Sequence, residues 1–108
     1  MDYTTAIDVW NQIKDTVLTD LKLNLVETGI RYAQIRVEWL LADSEKQAVI
    51  GQDRTTCHNS FIVACDVLAR NMSKHGENGS WRRRLSDDRK VIGDFACFLH
   101  CRLGISAR

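Results

Sequence analysis

Apolar residues in this chain recur at spacings of three and four, and no segment shows the every-other-residue alternation of a half-buried strand. The first such stripe is Ala6, Trp10, Ile13, Val17 and Leu21, which predicts a helix over about 5–23. Thr5 with Asp8 three residues on resembles a capping box at its start. A second helix is predicted over about 26–41. It carries one stripe of Ile30, Ala33, Val37, Leu40 and Leu41 and a neighbouring one of Tyr32, Ile35 and Trp39. So wide an apolar face suits a helix with two neighbours, and Gly29 would permit a close crossing. Ser44 can cap a short extra helix near 44–50, or the second helix can run on through that segment. Gly51 is expected to end it in either case.

Asp53 and Thr55 are both good caps for a third helix over about 54–74, with Cys57, Phe61, Ala64, Cys65, Leu68 and Met72 facing the core. Two glycines, an asparagine and a serine within residues 75–80 mark a loop. A fourth helix is expected over about 86–103, capped by Ser86, with Asp87 and Asp88 in a first turn that favours anionic side chains. Val91, Ile92, Phe95, Ala96, Phe98, Leu99 and Leu103 are its apolar residues, and Gly104 before Ile105 reads as a left-handed C-cap. Together these elements predict an all-α fold, a compact bundle of four main helices forming one domain over residues 1–108.

Composition supports that picture. The chain contains no proline, which removes the commonest helix breaker. No apolar run approaches the roughly 18 residues that span a bilayer, so no membrane association is expected. Residues 1–10 lack the basic-then-apolar order of a secretory signal. The four cysteines, Cys57, Cys65, Cys97 and Cys101, lie among apolar neighbours. Reduced, buried thiols and a cytoplasmic location are the expectation.

Charge changes the picture more. Residues 1–69 carry six Lys/Arg against ten Asp/Glu, and residues 70–108 carry nine against four, so the halves differ as −4 and +5. That asymmetry suits contact between the halves, self-association, or a basic half facing an anion. The basic residues concentrate in Trp81, Arg82, Arg83 and Arg84, followed by Arg89 and Lys90. Guanidinium forks fit phosphate and carboxylate, and an exposed indole can stack. This points to a binding site for a protein partner, nucleic acid or another anion. The plainer alternative is that Trp81 and Leu85 anchor a turn on the core while the arginines are solvated or paired with acidic residues.

A second polar group comprises Asp53, Arg54, His58, Asn59 and Asp66. Arg54 and His58, four apart, share a helical face. In the fourth helix, Gly93 and Asp94 are poor helix formers at mid-helix, a local inconsistency of the kind that sometimes marks function. Gly93 would let another helix approach, and Asp94 would pair with the 82–84 run. Cys97, His100 and Cys101 share a face, but lack the closely spaced pairs of a structural zinc site. Core packing explains them better, and no metal or cofactor is expected. Glu-x-x-His pairs, phosphate-binding glycine loops and nucleophile elbows are absent. The sequence therefore reads as a non-enzymatic binding or protein-interaction domain using the 76–90 segment. The alternative is a small enzyme or ligand/anion-binding bundle built on Arg54, His58, Asn59, Arg89, Asp94 and His100.

Overall fold

The computed structural model describes residues 3–104. Among them lie four α-helices and no strand: α1 (Thr4–Ile13), α2 (Thr19–Leu41), α3 (Ser44–Lys74) and α4 (Arg89–Leu103), with a 3-10 turn, Ser80–Arg84, between α3 and α4. The all-α bundle of four helices expected from the periodicity is the observed architecture.

Boundaries differ from the expectation at instructive places. The helix predicted over 5–23 breaks at residues 14–18, and α2 begins at Thr19 rather than 26. Thr16 makes the break. Its buried hydroxyl accepts the Leu18 amide at 3.2 Å and donates to Glu77 at 2.8 Å, in the loop after α3. A side-chain bond of this kind competes with helix continuation. Val17, placed in the first core stripe, is consequently exposed, and Val9 is buried instead. The capping box is also absent, since Tyr3 precedes α1 without a side-chain cap.

α3 is one continuous helix of 31 residues, so neither a separate helix over 44–50 nor a stop at Gly51 occurs. Asp43 caps it by accepting the Lys46 amide at 2.9 Å, a role assigned in the sequence to Ser44. One glycine in a long helix costs about 1 kcal/mol, which so long an element absorbs. α3 ends in a Schellman motif: Glu77 donates to the Met72 carbonyl, Gly76 to that of Ser73, and Gly76 has φ +79°. α4 starts at Arg89, capped by Asp88, while Ser86 accepts the Asp88 amide one turn earlier. Gly104 is right-handed, with φ −61°, and not the left-handed cap expected; Ile105 lies outside the described residues.

α2 is central. It packs along α3, to which only two residues join it, and against α4, while α1 lies on α4 and the 3-10 turn. Gly29 is the crossing point with α3 and α4: a Cβ there would fall 2.8 Å from Leu99 Cδ1 and 2.9 Å from Phe61 Cε1. Phe61 stacks on Phe95 at 5.7 Å, joining α3 to α4 at the middle of the core. At about 1.5 Å per residue, α3 spans nearly the whole 48 Å long axis of the molecule. α4 has only 15 residues, so it covers one part of the α2–α3 hairpin. Buried residues of α2 stop at Ala33, and those of α3 begin at His58. Toward the α2–α3 connection, past the contacts of Arg36 and Thr55 with α4, the hairpin extends without a third layer among the described residues. This is why Leu41 and Val49, apolar by sequence, are 83% and 74% exposed.

Candidate functional site: an arginine cluster where α4 meets the hairpin

The segment singled out by its basic charge is anchored by its tryptophan and partly tied up in ion pairs. Trp81 is fully buried, and Leu85 is buried beside it in the chain. Arg82 donates from Nε to Asp66 Oδ1 at 2.6 Å and from Nη1 to the Leu85 carbonyl at 2.9 Å, and it pairs with Asp87 as well. Burial draws the Arg82 guanidinium pKa down, but the hydrogen bonds from Asp87 and Asp66 outweigh this and hold it above its ordinary value. Arg84 pairs with Asp8 of α1 at 3.2 Å. Arg83 and Lys90 remain exposed. The run therefore fastens the turn to α1 and α3, and Asp66 is drawn into that network rather than toward His58.

A different set of residues converges where the N-terminal end of α4 reaches the hairpin. Each of three helices contributes a pair four residues apart, the spacing that puts both members on one face. α2 gives Tyr32 and Arg36, α3 gives Arg54 and His58, and α4 gives Arg89 and Gly93. Gly93 is what admits Arg36 to the α4 surface: a Cβ there would lie 2.5 Å from Arg36 Nε. It accommodates a side chain, where the sequence suggested a crossing helix. Arg89 reaches across to α3, donating to Thr55 Oγ1 at 3.3 Å. Arg54 lies over the Trp39 ring, 4.1 Å from its centroid. The Tyr32 and His58 rings meet edge-on at 5.3 Å, and His58 Nδ1 is 3.3 Å from Asn59 Oδ1.

Two properties separate this cluster from ordinary surface charge. First, it holds three of the four buried side-chain N or O atoms of the described residues that lack a hydrogen-bond partner, the fourth being Trp81 Nε1 in the 3-10 turn. Tyr32 is 0% exposed and His58 7%, yet the Tyr32 hydroxyl, His58 Nε2 and Arg54 Nε are buried without a hydrogen-bond partner. An unpaired buried polar group costs about 1–3 kcal/mol, so three in one place call for an explanation. Second, no carboxylate of the described residues pairs with Arg36, Arg54 or Arg89. Arg36 finds only Cys97 Sγ, at 4.0 Å.

The charges act on one another accordingly. Burial, and then the nearby Arg89, lower the Arg54 guanidinium, with Arg36 adding to the effect and Tyr32 opposing it. It remains a cation at neutral pH, as arginine does in proteins. Burial pushes the Tyr32 phenol up against the pull of Arg36, Arg54 and Arg89, so its proton stays in place and is available to donate. Arg36, Arg54 and Arg89 thus act together on the Tyr32 phenol, and no carboxylate of the described residues offsets them.

Of the polar residues proposed from sequence, the structure unites Arg54, His58 and Arg89, and Asn59 orients His58 from the exposed side. Asp94 belongs elsewhere, lining a small hollow with Thr5, Ala6 and Leu85 on the α1 side of α4. No ion pair among the described residues joins it to the 82–84 run. His100 is 11 residues beyond Arg89, about 16 Å along the helix, and its carbonyl accepts the Gly104 amide. Arg36 by itself carries no mark of a site in the sequence, and Tyr32 lies in an apolar stripe there. The available signal was the four-residue spacing of Tyr32 and Arg36, matching that of Arg54 and His58.

All four thiols are free. Cys65 is fully buried, and burial pushes its thiol up to about 12. Burial also raises Cys57 and Cys97, whereas Cys101, expected in the core, is exposed. No group of three or more His, Cys, Asp or Glu among the described residues is placed to hold a metal ion. Iodoacetamide should therefore modify Cys101 first in the native protein and Cys65 only after unfolding, as peptide mass spectrometry would read. Equal native labelling of the two would contradict this packing.

No helix among the described residues is long and apolar enough to cross a membrane. Compared with protein-family models, curated proteins and solved structures, the chain matches none of them.

Proposed function

We propose that this protein is a non-enzymatic, ligand-binding helical bundle whose ligand presents an anionic group to Arg36, Arg54 and Arg89. The observation that carries this reading is that three guanidiniums with no carboxylate partner among the described residues surround the Tyr32 phenol, whose buried hydroxyl, like His58 Nε2, has no hydrogen-bond partner. Like charges gathered at a partly desolvated site oppose folding. A bound anion removes that repulsion and supplies the missing hydrogen bonds, which charge assistance makes strong. Four free thiols fit a reducing, cytoplasmic setting.

A second reading places a protein or nucleic-acid partner on the 76–90 segment. It is supported by Arg83 and Lys90, which stay exposed there. The two readings part on which arginines matter.

Thermal melts in rising phosphate, with ionic strength held constant by chloride, test the first. At a phosphate concentration 100 times Kd, stabilisation should reach about 2.7 kcal/mol. That corresponds to roughly 10–20 °C in Tm for a domain of this size. The rise should persist in Arg83→Ala and vanish in Arg54→Gln. A flat melting temperature, or a rise that Arg54→Gln leaves intact, would remove the reading.

Gly93→Ala gives a complementary test. Alanine favours the helix by about 1 kcal/mol relative to glycine, yet its Cβ would displace Arg36. Stability should hold or rise while anion affinity falls several-fold by calorimetry. Unchanged affinity would show that the position of Arg36 is immaterial.

A further inference from the structure

We infer that the group held by Arg36, Arg54 and Arg89 is a terminal phosphate, the dianion of a phosphate monoester, an assignment that rests on the anion-binding reading above.

Charge and acceptor count both argue for it. The site offers three positive charges, and no described carboxylate pairs with them to lower that number. A carboxylate or a phosphodiester brings one negative charge and would leave two guanidiniums uncompensated. A phosphate monoester brings about 1.5–2 negative charges at neutral pH and three strong acceptor oxygens. Guanidinium groups carry hydrogen-bond donors only, and the Tyr32 hydroxyl keeps its proton to donate. Such a donor-rich wall needs a ligand rich in acceptors, and three phosphate oxygens can share three forks and a phenol hydrogen. His58 Nε2 is the remaining unpartnered atom on that wall, buried beside the Tyr32 ring.

The surroundings argue against a polymeric phosphate backbone. Nucleic acid binding needs a basic track along which several phosphates lie. Here the basic site is local and its flanks are acidic. Glu38 and Asp53 line a hollow of the α2–α3 hairpin with Arg31, and Asp87 and Asp88 immediately precede Arg89. Successive phosphates leaving the cluster would meet these carboxylates. A single phosphate at the end of a small molecule or on a modified side chain would not.

Titration calorimetry on the full chain at constant ionic strength tests this with four probes: methyl phosphate, dimethyl phosphate, acetate and a single-stranded oligonucleotide lacking terminal phosphates. Methyl phosphate should bind at least tenfold more tightly than the other three. Tyr32→Phe, which removes only the hydroxyl, should weaken methyl phosphate several-fold, and Arg89→Gln, at an exposed position, should weaken it tenfold or more. The melting curves of both variants without ligand report whether they fold. Dimethyl phosphate or acetate within twofold of methyl phosphate would overturn the monoester assignment and leave an anion site standing. Tighter binding of the oligonucleotide would overturn it in favour of nucleic acid. Binding of none of the four would overturn the anion-binding reading itself.

Discussion

Replacing Trp81 with alanine is expected to cost about 3–5 kcal/mol, the usual penalty for truncating a large buried aromatic. Native domains hold only about 5–15 kcal/mol in all, so Trp81→Ala should take away much of the folded population's margin. The reason lies in what the 3-10 turn joins. Trp81 is fully buried, Arg82 is bonded to Asp66 of α3, and Arg84 is paired with Asp8 of α1. Without the indole, the turn loses its anchor and the two ion pairs lose their frame. Arg83→Ala, an exposed position beside it, should change stability by no more than about 0.5 kcal/mol. Urea denaturation of the two variants reads the contrast directly. A Trp81→Ala midpoint close to that of Arg83→Ala would show that the segment is a surface feature and not a fastening.

The second large effect concerns binding. Removing Arg36 should reduce affinity for the anion by about 10–150-fold, the equivalent of one charge-assisted hydrogen-bonding group worth about 1.5–3 kcal/mol. Stability without ligand should move the other way or stay level. Arg36→Ala relieves repulsion toward Arg54 while removing no ion pair, because no described carboxylate pairs with Arg36. A protein that trades stability for a site shows this pattern: loss of function with a fold as firm as before. Calorimetry and thermal melts on the same variant check both halves. An Arg36→Ala protein that binds normally, or one that fails to fold, would contradict the role assigned to this residue.

Why one arginine group is paired with carboxylates and the other meets none among the described residues was only partly readable in the sequence. The fourth helix and the loop after α3 were legible because their signals are local: the Asp87 and Asp88 pair before Arg89, and the glycine that adopts a positive φ at position 76. The core stripe of Phe61, Ala64, Cys65, Leu68 and Met72 was legible for the same reason. The break at 14–18 was not, because Thr16 makes it by bonding Glu77, 61 residues away. Nor was the exposure of Leu41 and Val49, since nothing local says that α4 is too short to cover the far end of the hairpin.

The site shows the same division. Arg54 and His58 could be paired by their spacing on one helix, and Gly93 was visible as an anomaly in α4. Joining them required knowing that α2 lies between α3 and α4, so that Tyr32 and Arg36 face both. Conversely, the 82–84 run was conspicuous because its residues are adjacent in sequence, and adjacency says nothing about which acids lie opposite. Asp66 and Asp8 come from distant parts of the chain to neutralise it.

Amide chemical-shift mapping on the isotopically labelled protein, as inorganic phosphate is added at constant ionic strength, tests the central claim most directly. Saturable shifts should centre on Tyr32, Arg36, Arg54, His58 and Arg89, with residues 81–84 little changed. Shifts centred on 81–84, or no saturable shift at the cluster, would contradict it.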